Sequence, residues 1–410
     1  MTGAVLVVGA GVVGLSIALE AQSRGLSVRV IDRTGPAAGA SAGNAGAFAF
    51  ADILPLASPR IMRQAPKWLL DPLGPLSIPL AYAPRIVPWM WRFWRASRPS
   101  QVAASTAAQT ALMNHAQGTL DGFLLRAGAL NMLRREGQLQ VYEGLAQFEA
   151  SLDGWRAREA GGVEFRHLAG DDLAQMQPGL SPRFTHATFT PGWATIDDPK
   201  VYVQTLADKF VALGGEIIIA DVEALTATGL RTSTGDFAGR VVIAAGAYSH
   251  HLTRTAGVRI PLETERGYNT TLPHGGFDLR QHITFPAHGF VVSKLAGKLR
   301  VGGAVELGGL NAPPNYKRAD AMLRKASDFL PGLDTTGGTQ WMGFRPSLPD
   351  SLPAIGALPG RPDVFCAFGH GHLGLTQSTA TAAIVADLLT GQAPGIDMTP
   401  FAPARFMRQS

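Results

Sequence analysis

The opening thirty-three residues leave this chain few choices of fold. Ala4-Val5-Leu6-Val7-Val8 is an unbroken apolar run, the pattern of a strand buried on both faces. Gly9, Gly11 and Gly14 follow as G-x-G-x-x-G, and an apolar helical stretch runs from Val13 to about Ser23. Gly25 ends it, where a residue free to take positive φ is wanted. Val28-Arg29-Val30-Ile31 is the next strand, with Asp32 at its end. Each part has a physical task. Gly9 permits a tight turn, Gly11 lets a pyrophosphate approach the backbone, and Gly14 lets the helix pack closely on the strand. The helix N-terminus offers free N–H groups to the anion, and Asp32 is placed to accept hydrogen bonds from a ribose. Strand, helix, strand and terminal acid in register predict a dinucleotide site.

The 410 residues suffice for two or three domain-sized cores. With 46% apolar and 16% charged residues, the chain suits a soluble α/β protein. The apolar start lacks a basic leader, so it reads as folded structure rather than a signal peptide. No uninterrupted apolar stretch reaches the length of a membrane span. Cys366 stands alone, which excludes an intramolecular disulfide, a cysteine metal cluster and a CxxC redox pair. A cytoplasmic setting fits that usage. The net charge of +5 is modest and comes in no Lys/Arg block, so nucleic acid is not an expected partner.

Further along, Gly35 to Gly46 is rich in Gly, Ala and Ser, with Ser41 and Asn44 as its polar groups. Such a loop lets backbone approach a flat ligand. Residues 53–100 then change character: prolines alternate with Trp68, Trp89, Trp91, Phe93 and Trp94, interleaved with Arg92, Arg95 and Arg98. This stretch reads as a helical excursion packed on the protein, or as a peripheral membrane contact on the inner face of the cytoplasmic membrane. Residues 101–127 predict one long helix, 137–143 a strand, 145–160 a helix, and 163–193 short strands and turns. Asp198-Pro199 opens a helix to about Leu213. A strand over 216–220 follows, then Val222, a small hairpin over 229–237, and a buried strand over 240–245 running into Gly246. Residues 261–340 predict antiparallel strands with a helix near 316–329. The expected division is discontinuous: 1–52, 194–260 and 341–395 form the nucleotide domain, 53–193 and 261–340 a substrate domain, and 396–410 a tail.

The chain resembles the D-amino-acid oxidase-like flavoproteins, and most nearly their bacterial D-amino acid dehydrogenase branch. The resemblance rests on VVGAGVVGLSIA (7–18) with Asp32, SAGNAG (41–46), VVIAAGAYS (241–249), GFRPSLPDSLPAIG (343–356) and GHGHLGLT (369–376). It implies an α/β architecture: a doubly wound, Rossmann-type FAD-binding domain and a mixed-sheet substrate-binding domain capping the flavin. It places Arg345 on the substrate carboxylate, where a guanidinium fork matches two oxygens. The alternative for Arg345 is a structural ion pair with an aspartate such as Asp350. Tyr268 falls where the family brings a strand across the active site, so it is a catalytic candidate, with a core tyrosine as the rival reading. The cofactor set is Gly9, Gly11, Val12, Val13, Gly14, Asp32, Arg33, Ser41, Asn44, Gly46, Val222, Ala245, Gly246, Gly369, His370, Gly371, His372, Leu373, Gly374, Leu375 and Thr376. His370 and His372 lack a third ligand, so no metal is expected. His250 and His251 read as a solvated helix start.

The implied activity is FAD-dependent oxidation of free D-amino acids, with a quinone or respiratory carrier as electron acceptor. A cyclic D-imino acid such as a hydroxy-D-proline, or glycine or sarcosine, remains the alternative, because His372 stands where the common dehydrogenase form carries Thr. From other classes, a non-catalytic flavin-binding subunit and an NAD-dependent reductase stay open.

Overall fold

The computed structural model describes residues 3–71, 73–273 and 275–407; Pro72, His274 and residues 408–410 of the expected tail lie outside them. The apolar runs read above become the centre of a six-stranded sheet. Its order is Glu216–Ile219, Val28–Asp32, Val5–Val8, Arg240–Ile243, Arg361–Phe368, Ala354–Leu358. The first five are mutually parallel and the last is antiparallel. The side chains of Val5–Val8 are buried on both faces, as an unbroken apolar run requires. Helices Val12–Ser23 and Gly374–Thr390 pack side by side on one face, joined by Pro99–Ala127, in a single apolar core.

The second sheet has nine strands. Thr339–Ser347, Glu263–Leu272, Lys298–Glu306, Phe290–Leu295 and His282–Phe285 run antiparallel in that order. Gln138–Tyr142 then joins parallel to His282–Phe285, so the sheet is mixed. Helix Lys317–Phe329 covers one face, burying Tyr268, Phe285, Phe290, Val292 and Phe329 in a separate core. The opposite face looks toward the first sheet.

Several boundaries differ from expectation. Thr339–Ser347 belongs to the second sheet, so the chain returns to the first sheet after Ser347, not at 341. The 145–160 helix is two, Gly144–Glu149 and Leu152–Ala160, and a helix at Gly170–Met176 interrupts the expected strands and turns. The hairpin near 229–237 gains Val222–Leu225 as a third strand. His250 is not solvated: it is buried with Nδ1 3.1 Å from Ala247 O, and burial lowers its pKa to about 4.

The proline- and tryptophan-rich stretch folds as helices Pro59–Leu69 and Ala83–Ala96. The second is two-sided. Ile86, Trp89 and Phe93 pack inward with Leu307. Trp91 and Trp94 stack at 4.9 Å on the outside, and Arg98 lies over Trp94.

Candidate active site

Glycine geometry explains the first turn. Gly9 has φ +113°, and a Cβ there would lie 2.4 Å from Ala244 O; one on Gly14 would lie 1.9 Å from Gly9 O. No side chain fits either place. Asp32 holds the turn closed: Oδ2 accepts from Ala10 N–H at 2.8 Å, while Oδ1 accepts from Thr34 and Gly35 N–H at 2.9 Å. Helix Val12–Ser23 starts with no capping bond from Gly11 and no acid in its first turn, leaving its positive end to a ligand. Val12 N–H donates to Ser41 Oγ at 3.0 Å, so the Gly/Ala/Ser loop faces that helix end. The side chains of Val12 and Val13 lie in or against the core, so only their backbone is offered.

The loop itself is shaped by Asn44, which donates to Ser41 O at 3.1 Å and accepts from Gly46 N–H at 2.8 Å. Gly46 has φ +68°. Two residues of the second sheet clamp the loop. Asn269 Nδ2 donates to Gly43 O at 2.7 Å, and Arg300 Nη1 donates to Asn44 O at 2.5 Å. The Trp341 ring covers Gly43 so closely that a Cβ there would lie 2.3 Å from it. None of Asn269, Arg300 and Trp341 stood out in the sequence.

Arg345 comes from Thr339–Ser347, opposite Glu265 in register. Its guanidinium lies flat over Gly267, where a Cβ would meet Nη2 at 2.3 Å. Nη1 donates to Ala304 O at 2.9 Å. Burial lowers its pKa and Glu265 opposes that; the group remains a cation partly open to the space between the sheets. Asp350 does not compete for it, because Asp350 pairs with Arg405 at 2.7 Å.

Tyr268 is corrected. It is 1% exposed, in the core on the far face of the sheet, and its hydroxyl donates to Glu306 and accepts from Asn315 N–H at 3.1 Å. Glu265, Gly267 and Asn269 share the face that looks toward the first sheet, and Tyr268, one residue out of step, points away.

The turn Gly369–Leu373 completes the site. Gly369 has φ +87° and Gly371 φ +55°, and Gly371 N–H donates to Pro346 O at 2.7 Å. The turn is thereby stitched to the Arg345 strand. The His370 ring turns inward, with Nε2 3.0 Å from Thr381 Oγ1, and burial lowers its pKa to about 3. It is a neutral structural histidine, leaving only backbone for a ligand. His372 faces a cavity that it lines with Glu265, Leu54, Leu56, Phe93 and Leu348. Leu373 and Leu375 are buried in apolar clusters, and Thr376 Oγ1 accepts from Ala49 N–H at 2.9 Å. Helix Gly374–Thr390 also begins without a side-chain cap.

Of the remaining predicted positions, Ala245 abuts the first turn: its Cα is 3.1 Å from where a Cβ on Gly9 would lie. Arg33 lies 3.8 Å over the Tyr248 ring. Val222 follows Ala220, whose N–H donates to Asp32 O at 3.0 Å. Ala245 and Gly246 turn the chain after Arg240–Ile243, with Gly246 at φ +54°. Among the described residues, no group of three or more His, Cys, Asp or Glu is placed to hold a metal.

The residues present fit a flavin dinucleotide. A side-chain-free turn, a helix end with no acid in its first turn and a terminal acid match a pyrophosphate and ribose. On the facing sheet, Asn269 Oδ1 and Ser347 Oγ are buried with no protein partner, the condition expected of groups that serve a polar ligand.

Comparison with known proteins gives the same picture. Residues 4–388 match the family model described as FAD dependent oxidoreductase (DAO). The chain is 35% identical to a D-amino-acid oxidase of Bradyrhizobium diazoefficiens, covering 98% of this chain and 99% of that one. It is 31% identical, with the same coverage, to a D-amino acid dehydrogenase of Rhizobium johnstonii. Among solved structures, glycine oxidase from Geobacillus kaustophilus superposes with TM-score 0.76 at 21% identity, covering 99% of this chain and 100% of that one.

Proposed function

Because the chain belongs to the FAD-dependent oxidoreductase family, we propose that it uses its FAD to oxidise free D-amino acids by oxidative deamination. The observation that carries the substrate class is Arg345: a cation on the face of the second sheet that looks toward the cofactor turn, with no carboxylate in direct contact among the described residues. It supplies the fork that an α-carboxylate needs. When bound, FAD supplies the two-electron oxidant that takes hydride from the substrate Cα. Arg345 fixes the carboxylate, and Leu54, Leu56, Phe93 and Leu348 wall a cavity of about 20 Å³ beside Glu265 and His372, which must widen before it takes a substrate side chain. The imino acid product hydrolyses to a 2-oxo acid and ammonia. A cyclic D-imino acid is the second reading, which His372 favours.

Anaerobic mixing with D-, L- and N-alkylated amino acids, proline and its hydroxy forms included, tests this. D-Amino or D-imino acids bleach the flavin and L-enantiomers do not, since one carboxylate anchor and one open flavin face admit one enantiomer. Arg345→Ala costs about 2–5 kcal/mol of transition-state binding, roughly 30-fold to several thousand-fold in kcat/KM, with FAD content unchanged. Equal bleaching by L-amino acids, or a fully active variant, would sink the assignment.

The electron acceptor belongs to the same proposal. Helix Ala83–Ala96 shows Trp91 and Trp94 at 57% and 43% exposure, and Leu70 and Leu80 nearby in sequence are 85% and 91% exposed. Exposed rings beside Arg92, Arg95 and Arg98 suit an anionic lipid surface, from which a quinone takes the electrons. No helix among the described residues is long and apolar enough to cross a membrane, so the contact is peripheral.

A further inference from the structure

Glu265 carries a buried carboxyl group that the site described so far does not use. It is 5% exposed, and no hydrogen bond or ion-pair contact reaches its carboxylate among the described residues. It lies opposite Arg345 in register and lines the same cavity as His372. The Arg345 guanidinium leans over Gly267, two residues along the strand from Glu265. That step is about 7 Å. In an α-amino acid one carbon separates carboxylate from ammonium, and a hydrogen bond of about 2.8 Å at each end brings the span to roughly 8 Å. Two groups one pleat repeat apart on the same face are within reach of a zwitterion of that span.

We propose that Glu265 and His372 form the amine half of the substrate site: Glu265 receives the substrate α-ammonium, and His372 takes one proton from it. This rests on the reading that the substrate is a free amino acid held by Arg345. In the step, an N–H bond of the ammonium breaks and its electron pair stays on nitrogen. An N–H bond forms on the imidazole. The neutral amine then has the lone pair that assists hydride departure from Cα.

The surrounding charges favour this order of events. The His372 ring opens to the space between the sheets, and partial desolvation by its neighbours lowers its pKa; Asp52 and Glu265 raise it, and Arg345 lowers it. Arg158, 3.6 Å from Asp52, tempers that carboxylate, and His370 in the same turn stays neutral. A substrate carboxylate on Arg345 cancels the one cation that opposes His372. Binding at one end of the substrate thus prepares the proton acceptor at the other.

Two paired probes test this on the holoenzyme: D-alanine against propionate, and D-proline against cyclopentanecarboxylate, each acid lacking only the amine. Binding is followed anaerobically by calorimetry, with flavin bleaching read separately. Glu265→Gln weakens the amino acids by about 30-fold and leaves the amine-free acids within about 2-fold; Arg345→Ala weakens all four. His372→Gln lowers kcat about 100-fold near neutral pH. It recovers as pH rises and the amine deprotonates unaided, with KM changed less than about 3-fold. If Glu265→Gln weakens both members of a pair alike, or neither, the proposal is overturned. A His372→Gln enzyme equally impaired at every pH, or unimpaired, also overturns it. A wild-type flavin that no amino acid bleaches would instead bring down the substrate reading itself.

Discussion

Gly267 decides where Arg345 points. A methyl group there would lie 2.3 Å from the guanidinium, so Gly267→Ala must push the arm off the strand. We expect kcat/KM to fall by one to three orders of magnitude, in line with the penalty for misplacing a positioning group. FAD content and melting temperature should hold. Steady-state kinetics beside the flavin absorbance ratio checks this, and a normal kcat/KM would show that Arg345 is not pinned by the strand beneath it. Asp32 works differently, because three backbone N–H groups end on it. Asp32→Ala leaves them without an acceptor; Thr34 is exposed and can turn to water, but roughly 1–3 kcal/mol for each of the Ala10 and Gly35 N–H groups predicts lost FAD retention together with a lower melting temperature. A variant that stays yellow through gel filtration would contradict that. The residue scale is also where the sequence was hardest to read. In Glu263–Leu272 both faces carry polar side chains: Glu265 and Asn269 on one, Arg266, Tyr268 and Thr270 on the other. Period-two alternation assigns faces only when one side is apolar, so it could not tell Tyr268 from its neighbours. Arg345 stood out as a candidate because its motif is contiguous; Glu265 did not, because the residues lining its cavity arrive from distant segments.

At the scale of elements, helix Ala83–Ala96 has two faces with separate tasks. Trp89 is 8% exposed and stacks on Phe93 at 5.2 Å, whereas Trp91 and Trp94 stack on each other at the surface. Trp89→Ala should cost about 3–5 kcal/mol of stability. Replacing Trp91 and Trp94 together by Ala should leave unfolding by urea within about 1 kcal/mol and abolish co-sedimentation with phosphatidylglycerol vesicles at low salt. Wild-type protein that remains in the supernatant would leave the outer face without a membrane role. The sequence showed both tendencies of this segment without separating them, since proline at 88 and the mixed ring-and-arginine pattern fit either side. Only tertiary packing, with Leu307 arriving from the second sheet, sorts the rings. By contrast, the opening strand–helix–strand was read nearly to its ends: Val5–Val8, Val12–Ser23 and Val28–Asp32 follow from local pattern alone.

Across the whole molecule, buried neutral histidines set the acid limit of stability. Burial holds His282 and His250 down to about 4 and His370 to about 3. Their unfolded values are near 6.5, so the unfolded chain binds more protons at mildly acid pH, and stability falls as pH drops from about 6.5 toward 4. Urea midpoints at pH 7.5 and 5.0 measure the slope. Replacing His370 by Asn, which keeps a polar partner for Thr381, should flatten it, and an unaltered slope would place the titration elsewhere.

One topological feature bears on how the protein is made. The fingerprint turn is translated first, yet Arg240–Ile243 is flanked by Val5–Val8 and by Arg361–Phe368, and the Gly369–Leu373 turn follows only then. A nascent chain emerging from the ribosome therefore carries the fingerprint turn without the Gly369–Leu373 turn, which we propose lines the same flavin site. Cofactor loading must wait until nearly the whole chain has been released, so ribosome-tethered chains arrested at residue 340 should retain no flavin however much is supplied.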